Sequence, residues 1–386
     1  MKQTFAFTTT LALLLTLGFK AEAAGWYIVS SPDADTLDNV LLAQYAANSS
    51  DIWAVGYYHS ADPGLQNQPL FNHWNGIAWS NVSTSAFGIN SDLFGIGGIA
   101  SNDVWAAGAV QATVGGPFAS LVLHWNGTRW AEVSLPSSSN YEVLRAIAEI
   151  SSTDIWTVGW YNDGATHPLA IHWDGFQWTR VTLPDPDPGG SGSWLSTVTA
   201  IASNDVWAFG SDSNLLRGLA YHWNGSSWSQ VSVPAVGQSS SISGAYAAAS
   251  NKIWAVGSYQ HDGFHWYTMI LYWNGLYWSQ VTSPNKCTGS TADSFLNAVA
   301  GFSSSDIWAV GAYNCSGTEQ TLTMHFDGSS WKIVLSPNSG SGDNSLYSIS
   351  TSRDSSVVRQ WMNAVGVYFD TTTLFERTLA LQNHNP

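Results

Sequence analysis

Six side chains that could bind a ligand stand within one short stretch of the chain, residues 261–267, called the 261–267 segment below. They are His261, Asp262, Phe264, His265, Trp266 and Tyr267. Aromatic rings can stack on the C–H faces of a sugar, while a few fixed polar groups hydrogen-bond its hydroxyls. We therefore predict a carbohydrate-binding site here. Packing of the rings against the rest of the fold is the alternative.

Two tryptophans outside this segment are further candidates for stacking. Eighteen of the 22 tryptophans recur at three fixed positions of a sequence repeat and are expected to form the core. The four others are Trp160, Trp194, Trp266 and Trp361. Trp160 and Trp194 lie where the repeat units differ from one another, so we add both to the candidate ligand-binding residues.

Histidines and carboxylates of the sequence could also bind a metal ion. His261 and His265 flank Asp262 and could chelate an ion, but two histidines without further ligands fall short of a zinc site. A histidine also precedes an aromatic residue in five repeat units, where we expect the rings to diverge around the fold and to be structural: His73, His124, His172, His222 and His325. Five acidic residues could hold Ca²⁺ or sugar hydroxyls: Asp38, Asp92, Glu142, Asp293 and Asp343. We predict no metal site and no cofactor, with Ca²⁺ as the open alternative.

Catalytic motifs are absent from the sequence. It contains no Gly-x-Ser-x-Gly, no P-loop and no His-Glu-x-x-His, which are the signatures of several hydrolases and nucleotide-binding enzymes. A pair of carboxylates can nevertheless cleave glycosides, with Asp262 and Asp293 as the candidates. We predict a recognition protein rather than an enzyme. An extracellular polysaccharide hydrolase or lyase, and a structural or protein-binding surface protein, are the alternatives.

The elements that position these residues belong to a repeat of about 50 residues. Asp51-Ile-Trp-Ala-Val-Gly56 recurs five times, with its tryptophans 47 to 54 residues apart. Each copy is followed by a motif of the type His73-Trp-Asn-Gly-x-x-Trp79. The residues alternate with the period of a β-strand, and the Asn-Gly or Asp-Gly pairs predict type I′ hairpins. Each unit is therefore predicted to be a four-stranded antiparallel blade.

A seventh unit is degenerate and shows how the fold closes. Asn363–Tyr368 matches the first motif with asparagine in place of tryptophan, and no fourth strand follows it. That strand stands at the other end of the chain, where residues 26–32 align with residues 278–284. Pairing the two ends leaves no open sheet edge. We predict an all-β, seven-bladed β-propeller with blades near residues 38–84, 91–134, 142–182, 194–233, 241–282, 293–334, and 344–386 plus 25–30.

The repeats resemble those of kelch-type propellers, including the galactose-oxidase-like group, and the resemblance covers residues 25–386. The chain also looks like secreted bacterial proteins that carry tandem Asp-Ile-Trp-Ala-Val-Gly and His-Trp-Asn-Gly repeats. Kelch blades carry a Gly-Gly doublet where this sequence has a single glycine, such as Gly56. The resemblance therefore implies the architecture rather than an activity.

One face of the predicted propeller carries the loops that differ between units. These are the loops between second and third strands and the links between blades, and we call the face they form the variable face. The opposite face carries the short, repeated turns, and we call it the short-turn face. Cys287 lies in the link that enters blade six, and Cys315 lies in the second-to-third loop of that blade. We predict that they form a disulfide on the variable face.

The N-terminus and the charge indicate the compartment and the partners. Residues 1–23 read as a signal peptide, which leaves residues 24–386 as a single propeller domain and predicts an extracellular or periplasmic protein. No later stretch is long and apolar enough to insert into a membrane. The 12 basic and 27 acidic residues give a net charge of −15, which disfavours nucleic acid. We expect a monomer whose partner is a glycan or an extracellular protein.

Overall fold

The computed structural model describes residues 25–136, 141–186, 192–287, 292–354 and 359–385. The predicted signal peptide lies outside these residues and stays a prediction. The described residues contain 28 strands in seven four-stranded antiparallel sheets. The first strand of each sheet contacts the first strand of the next sheet. The first strand of the last sheet contacts the first strand of the first sheet, which closes a ring. The predicted seven-bladed propeller is confirmed. The described residues contain no helix that is long and apolar enough to cross a membrane.

The first three blades follow the chain in order. Strand β1 comprises Trp26–Val29. Blade one contains β2 (Asn39–Asn48), β3 (Asp51–His59), β4 (Asn67–Trp74) and β5 (Trp79–Asn81). Blade two contains β6 (Asn90–Ala100), β7 (Asp103–Gln111), β8 (Phe118–Trp125) and β9 (Trp130–Glu132). Blade three contains β10 (Tyr141–Ser151), β11 (Asp154–Asn162), β12 (Thr166–Trp173) and β13 (Trp178–Arg180).

The last four blades complete the ring. Blade four contains β14 (Ser193–Ala202), β15 (Asp205–Asp212), β16 (Arg217–Trp223) and β17 (Trp228–Gln230). Blade five contains β18 (Ser239–Ala249), β19 (Lys252–Gln260), β20 (Trp266–Trp273) and β21 (Trp278–Val281). Blade six contains β22 (Asp293–Ser303), β23 (Asp306–Asn314), β24 (Glu319–Phe326) and β25 (Trp331–Val334). Blade seven contains β26 (Asn344–Asp354), β27 (Arg359–Asp370), β28 (Phe375–Asn385) and β1.

The turn between third and fourth strands differs from the predicted type I′ hairpin. In blade one only Gly76 has a positive φ, of 90°. Asn75 Oδ1 instead accepts the backbone N–H groups of Ile77 and Ala78, each at 3.0 Å. The prediction was wrong because the asparagine side chain closes a longer turn by capping its amides, which needs one left-handed residue instead of two.

Each first strand carries a β-bulge at the same position in all seven blades. In β2 the pairing with β3 slips between Leu41 and Ala43, which leaves Leu42 unpaired. These unpaired residues line an axial channel of about 250 Å³, because a bulge bends the strand and re-aims one side chain. We call them the bulge residues: Leu42, Phe94, Arg145, Ser196, Ser243, Asn297 and Tyr347.

Tryptophans of the repeat fill the interfaces between blades, which we call seams. Trp53 is 2% exposed and contacts two tryptophans of blade two, Trp125 at 4.8 Å and Trp130 at 5.3 Å between ring centroids. The His73 ring lies 4.4 Å from that of Trp53. Burial of such large rings is a main source of stability in this fold.

The repeated histidines and aspartates form pairs in five blades, namely one, two, three, four and six. His73 Nε2 lies 2.7 Å from Asp51 Oδ1, and the corresponding distance in blade three is 2.8 Å. The structural role predicted for the histidines agrees with this geometry. The position of the repeated aspartates in a turn predicts that they cap its amides, and the structure contradicts that prediction. The carboxylate faces the next strand, where it fixes the imidazole against the tryptophan.

The side-chain hydrogen bonds that close the ring are also found in other blades. In blade five Thr268 donates its backbone N–H to Asn285 Oδ1 at 2.9 Å, and its hydroxyl lies 2.5 Å from that of Ser283. In blade seven Thr378 makes the same two contacts, with Asp33 at 3.1 Å and with Ser31 at 2.7 Å. The N-terminal segment therefore completes blade seven through side chains as well as through β1–β28 pairing.

The seam between blades seven and one combines an apolar cluster, which includes Trp74 and Val365, with buried polar residues. Asn363 replaces the second-strand tryptophan and is 1% exposed. Gln44 of blade one donates from its Nε2 to the backbone oxygens of Asn363 and Ser348. Both side-chain polar atoms of Asn363 are buried without a partner, which disfavours this seam relative to the aromatic ones.

The predicted disulfide between Cys287 and Cys315 is present, with 5.7 Å between the Cα atoms. It joins the link before blade six to the loop after β23 and closes a sequence separation of 28 residues. We expect a Cys287→Ser, Cys315→Ser double variant to lose about 3 kcal/mol of unfolding free energy, because the unfolded chain regains its loop entropy. Urea denaturation with and without reductant measures this. A wild-type midpoint unmoved by reductant would contradict the prediction.

Candidate functional site

Asp262 organises the 261–267 segment. Its Oδ1 accepts the backbone N–H groups of Phe264 at 3.0 Å and His265 at 2.8 Å. Its Oδ2 lies 2.6 Å from His265 Nδ1. The hydrogen bond with the His265 ring, together with those two amides, holds the pKa of Asp262 well below its ordinary value. The segment is therefore a self-braced loop with a charged carboxylate at its centre.

The aromatic rings of the segment divide into one free ring and two packed ones. Phe264 is 82% exposed at the tip of the loop. Trp266 is part-buried, with its ring 6.1 Å from that of Phe295 in blade six. Tyr267 lies 5.7 Å from Tyr259 and meets the His261 ring edge-on at 6.3 Å. The rings of Trp266 and Tyr267 therefore pack against neighbouring side chains, while the ring of Phe264 lies in solvent.

Trp160 and Trp194 lie in other blades. Trp160 lies in β11, the second strand of blade three, and stacks on Tyr141 at 5.5 Å, with 8° between the ring planes. Phe118 of blade two continues this column at 5.3 Å from Tyr141. Trp194 is part-buried in the first strand of blade four, paired with Ser211. The structure thus places the eight candidate residues in three blades and brings together only those of the 261–267 segment.

The acidic residues at the start of the first strands connect neighbouring blades. Each accepts a hydrogen bond from the third strand of the preceding blade, at 2.7 to 3.2 Å: Asp38 from Glu376, Asp92 from Asn67, Glu142 from Ser120, Asp293 from Trp266, and Asp343 from Glu319. These carboxylates therefore hydrogen-bond neighbouring blades to each other. The sequence alone did not reveal this role, because the partners lie 22 to 338 residues apart. Over the described ranges, no three His, Cys, Asp or Glu side chains converge in a group that could hold a metal ion.

Several titratable groups on the variable face have raised pKa values. Burial raises the pKa of Glu376 and that of Glu319, and the neighbouring carboxylates Asp38 and Asp343 respectively add to the effect. Burial likewise raises the pKa of Tyr57 to about 12 and that of Tyr347 above its ordinary value. The electrostatic influence of Glu376 reaches both tyrosines. Burial, together with the crowding of acids at the variable face, therefore favours the protonated forms of these groups.

The sequence patterns did not identify three residues of this region as candidates. Arg145 and Tyr347 reach the axial channel only because of the bulges, and a bulge is invisible in a period-two pattern. Tyr57 follows the repeated glycine of blade one, where other blades have alanine, serine, tryptophan or valine. That variation was the available signal, and it identified only Trp160.

Comparisons with known proteins bear on the fold. No protein-family model matches the chain, and no curated protein matches it. A structure of YCF48 bound to a D1 peptide matches with a TM-score of 0.55 at 12% identity, covering 95% of this chain and 98% of that one. YCF48 from Cyanidioschyzon merolae matches with a TM-score of 0.56 at 14% identity, covering 94% and 99%.

A third match is a GH74 xyloglucanase from Xanthomonas campestris. Its TM-score is 0.54 at 12% identity, and the alignment covers 92% of this chain and 55% of that one. Identities this low show the fold alone. None of these three proteins is a kelch protein or a galactose oxidase, so the comparisons support the propeller architecture without singling out that group.

Proposed function

We propose that the protein is an exported carbohydrate-binding propeller whose ligand meets the variable face at the 261–267 segment. The observation that carries the proposal is Phe264, a phenyl ring 82% exposed on a loop that Asp262 and His265 brace. A ring held in solvent on a rigid loop offers a stacking surface at little entropic cost. His261 and the Asp262 carboxylate stand beside it as partners for hydroxyl groups.

Phe264→Ala tests this proposal on a residue whose loss leaves the core untouched. We expect its affinity for the glycan identified on an array, screened with and without Ca²⁺, to fall about tenfold, because one stacked ring contributes about 1–1.5 kcal/mol. Phe176→Ala is the matched control, since Phe176 is 92% exposed in a turn on the short-turn face. Equal loss in both variants, or an array with no specific binding, would contradict the proposal.

The same experiment separates the alternatives. YCF48 shares the fold and has been solved with a peptide bound, so a blank array directs the search to peptides. Release of new reducing ends from a polysaccharide would show hydrolysis instead. Asp293→Asn would then be tested first, although Asp293 Oδ1 already accepts the backbone N–H of Trp266 at 2.8 Å.

A further inference from the structure

Arg145 is the one charged side chain among the described residues that line the axial channel. It is the bulge residue of blade three, and its side chain remains exposed to the channel. Its guanidinium carbon lies 4.4 Å from the centre of the Phe94 ring, the bulge residue of blade two. Stacking of this kind fixes the guanidinium plane and leaves its N–H edges free to bind a ligand.

No carboxylate of the described chain stands within ion-pair distance of Arg145, whereas Arg180 and Arg377 both have acidic partners. Asp92 is a source of opposite charge for Arg145, and the two charges act on each other through space. Its Oδ1 accepts a hydrogen bond from Asn67 Nδ2 at 2.9 Å. A guanidinium that faces a cavity without a carboxylate partner is suited to bind an anion, because its forked donors match a carboxylate.

The other bulge residues add hydroxyl, amide and apolar groups at the same level of the channel. Ser196 and Ser243 supply hydroxyls, and Leu42 supplies an apolar surface. Asn297 donates from Nδ2 to the backbone oxygen of Leu346 at 2.8 Å, which leaves its Oδ1 to accept from a ligand. The channel volume of about 250 Å³ lies below the range of about 300–1,000 Å³ typical of drug-sized ligands. A small ligand with one carboxylate, several hydroxyls and an apolar face fits this lining.

We propose that the axial channel binds one small hydroxylated carboxylic acid, of the size of a single sugar acid, with Arg145 holding its carboxylate. The site is distinct from the 261–267 segment and does not depend on the function proposed there. Only one blade of seven supplies a cation, so the channel holds a single carboxylate in a single orientation.

Isothermal titration calorimetry with D-glucuronate, and with D-glucose as its uncharged counterpart, tests the proposal on the purified propeller. We expect one glucuronate to bind per chain and glucose to bind about ten- to a hundredfold more weakly, which is the range for hydrogen bonds to a charged group. Arg145→Gln should lose the same factor. Arg145→Lys should lose part of it, because lysine keeps the charge and lacks the fork.

Arg129→Gln is the charge-matched control, since Arg129 is exposed in the turn before β9 on the short-turn face. It should bind glucuronate as the wild type does, and so should Phe264→Ala, which separates this site from the 261–267 segment. Melting temperatures equal to that of the wild type establish that the Arg145 variants are folded. Absence of glucuronate binding, equal binding of glucose, or full binding by folded Arg145→Gln would overturn the proposal.

Discussion

Glu149→Gln should make the protein more stable at alkaline pH while leaving it unchanged near pH 4.5. Glu149 lies between blades two and three, where a Cβ on Gly97 would overlap its carboxylate. Its Oε1 is buried without a hydrogen-bond partner. Burial raises the pKa of Glu149 from its ordinary 4.5 to about 8.

The direction of this pH effect on stability follows from the number of protons that the folded and unfolded states bind. Between pH 4.5 and 8 the folded state holds a proton on Glu149 that the unfolded state has released, so the unfolding free energy falls as pH rises through this window. Above pH 8 the cost is roughly 5 kcal/mol, and glutamine avoids it because it carries no charge. Urea denaturation from pH 5 to 9 measures the difference.

Glu132→Gln is the matched control, since Glu132 is exposed in β9 of the same region of the ring. It should leave the pH dependence of stability unchanged. If Glu149→Gln and the wild type lost stability in parallel between pH 5 and 9, Glu149 would be excluded as the buried proton site.

Trp26→Ala should destabilise the propeller by about 3–5 kcal/mol, the usual cost of removing a large buried ring. Trp26 is 8% exposed in β1 and meets the Trp308 ring of blade six edge-on at 5.8 Å. Loss of this ring also loosens β1, whose departure would expose the edge of β28 and promote aggregation. Denaturant midpoints and light scattering measure the two effects.

Ile28→Ala provides the comparison within the same strand. Ile28 is 42% exposed, so its truncation should cost less than about 1 kcal/mol, as is usual for surface positions. Equal midpoints for the two variants would mean that β1 closes the ring through backbone pairing alone.

The blades and their closure were predictable because the repeat encodes them locally. Trp53 and its counterparts mark each second strand, and the match between residues 26–32 and 278–284 revealed the closing strand. Both signals need only alternation and spacing, which a single sequence contains.

The side-chain geometry was harder to predict because it depends on register. Asp51 and His73 meet only once β3 and β4 are aligned, so the sequence suggested a turn cap instead. Trp160 and Trp194 were grouped with the 261–267 segment because all three interrupt the repeat, but the structure places them in blades three and four. A shared irregularity in sequence carries no information about distance in a ring.

The tryptophans at the seams also couple their optical transitions. Indole rings such as Trp53 and Trp125, 4.8 Å apart, or Trp156 and Trp223, 4.9 Å apart, belong to different blades. Exciton bands in the circular dichroism spectrum of this protein should therefore report contact between blades, in addition to the pairing of third and fourth strands that brings Trp74 within 5.8 Å of Trp79. Asn363 removes the corresponding ring from the seam between blades seven and one, so that seam should part without a change in this signal while the other six stay optically visible.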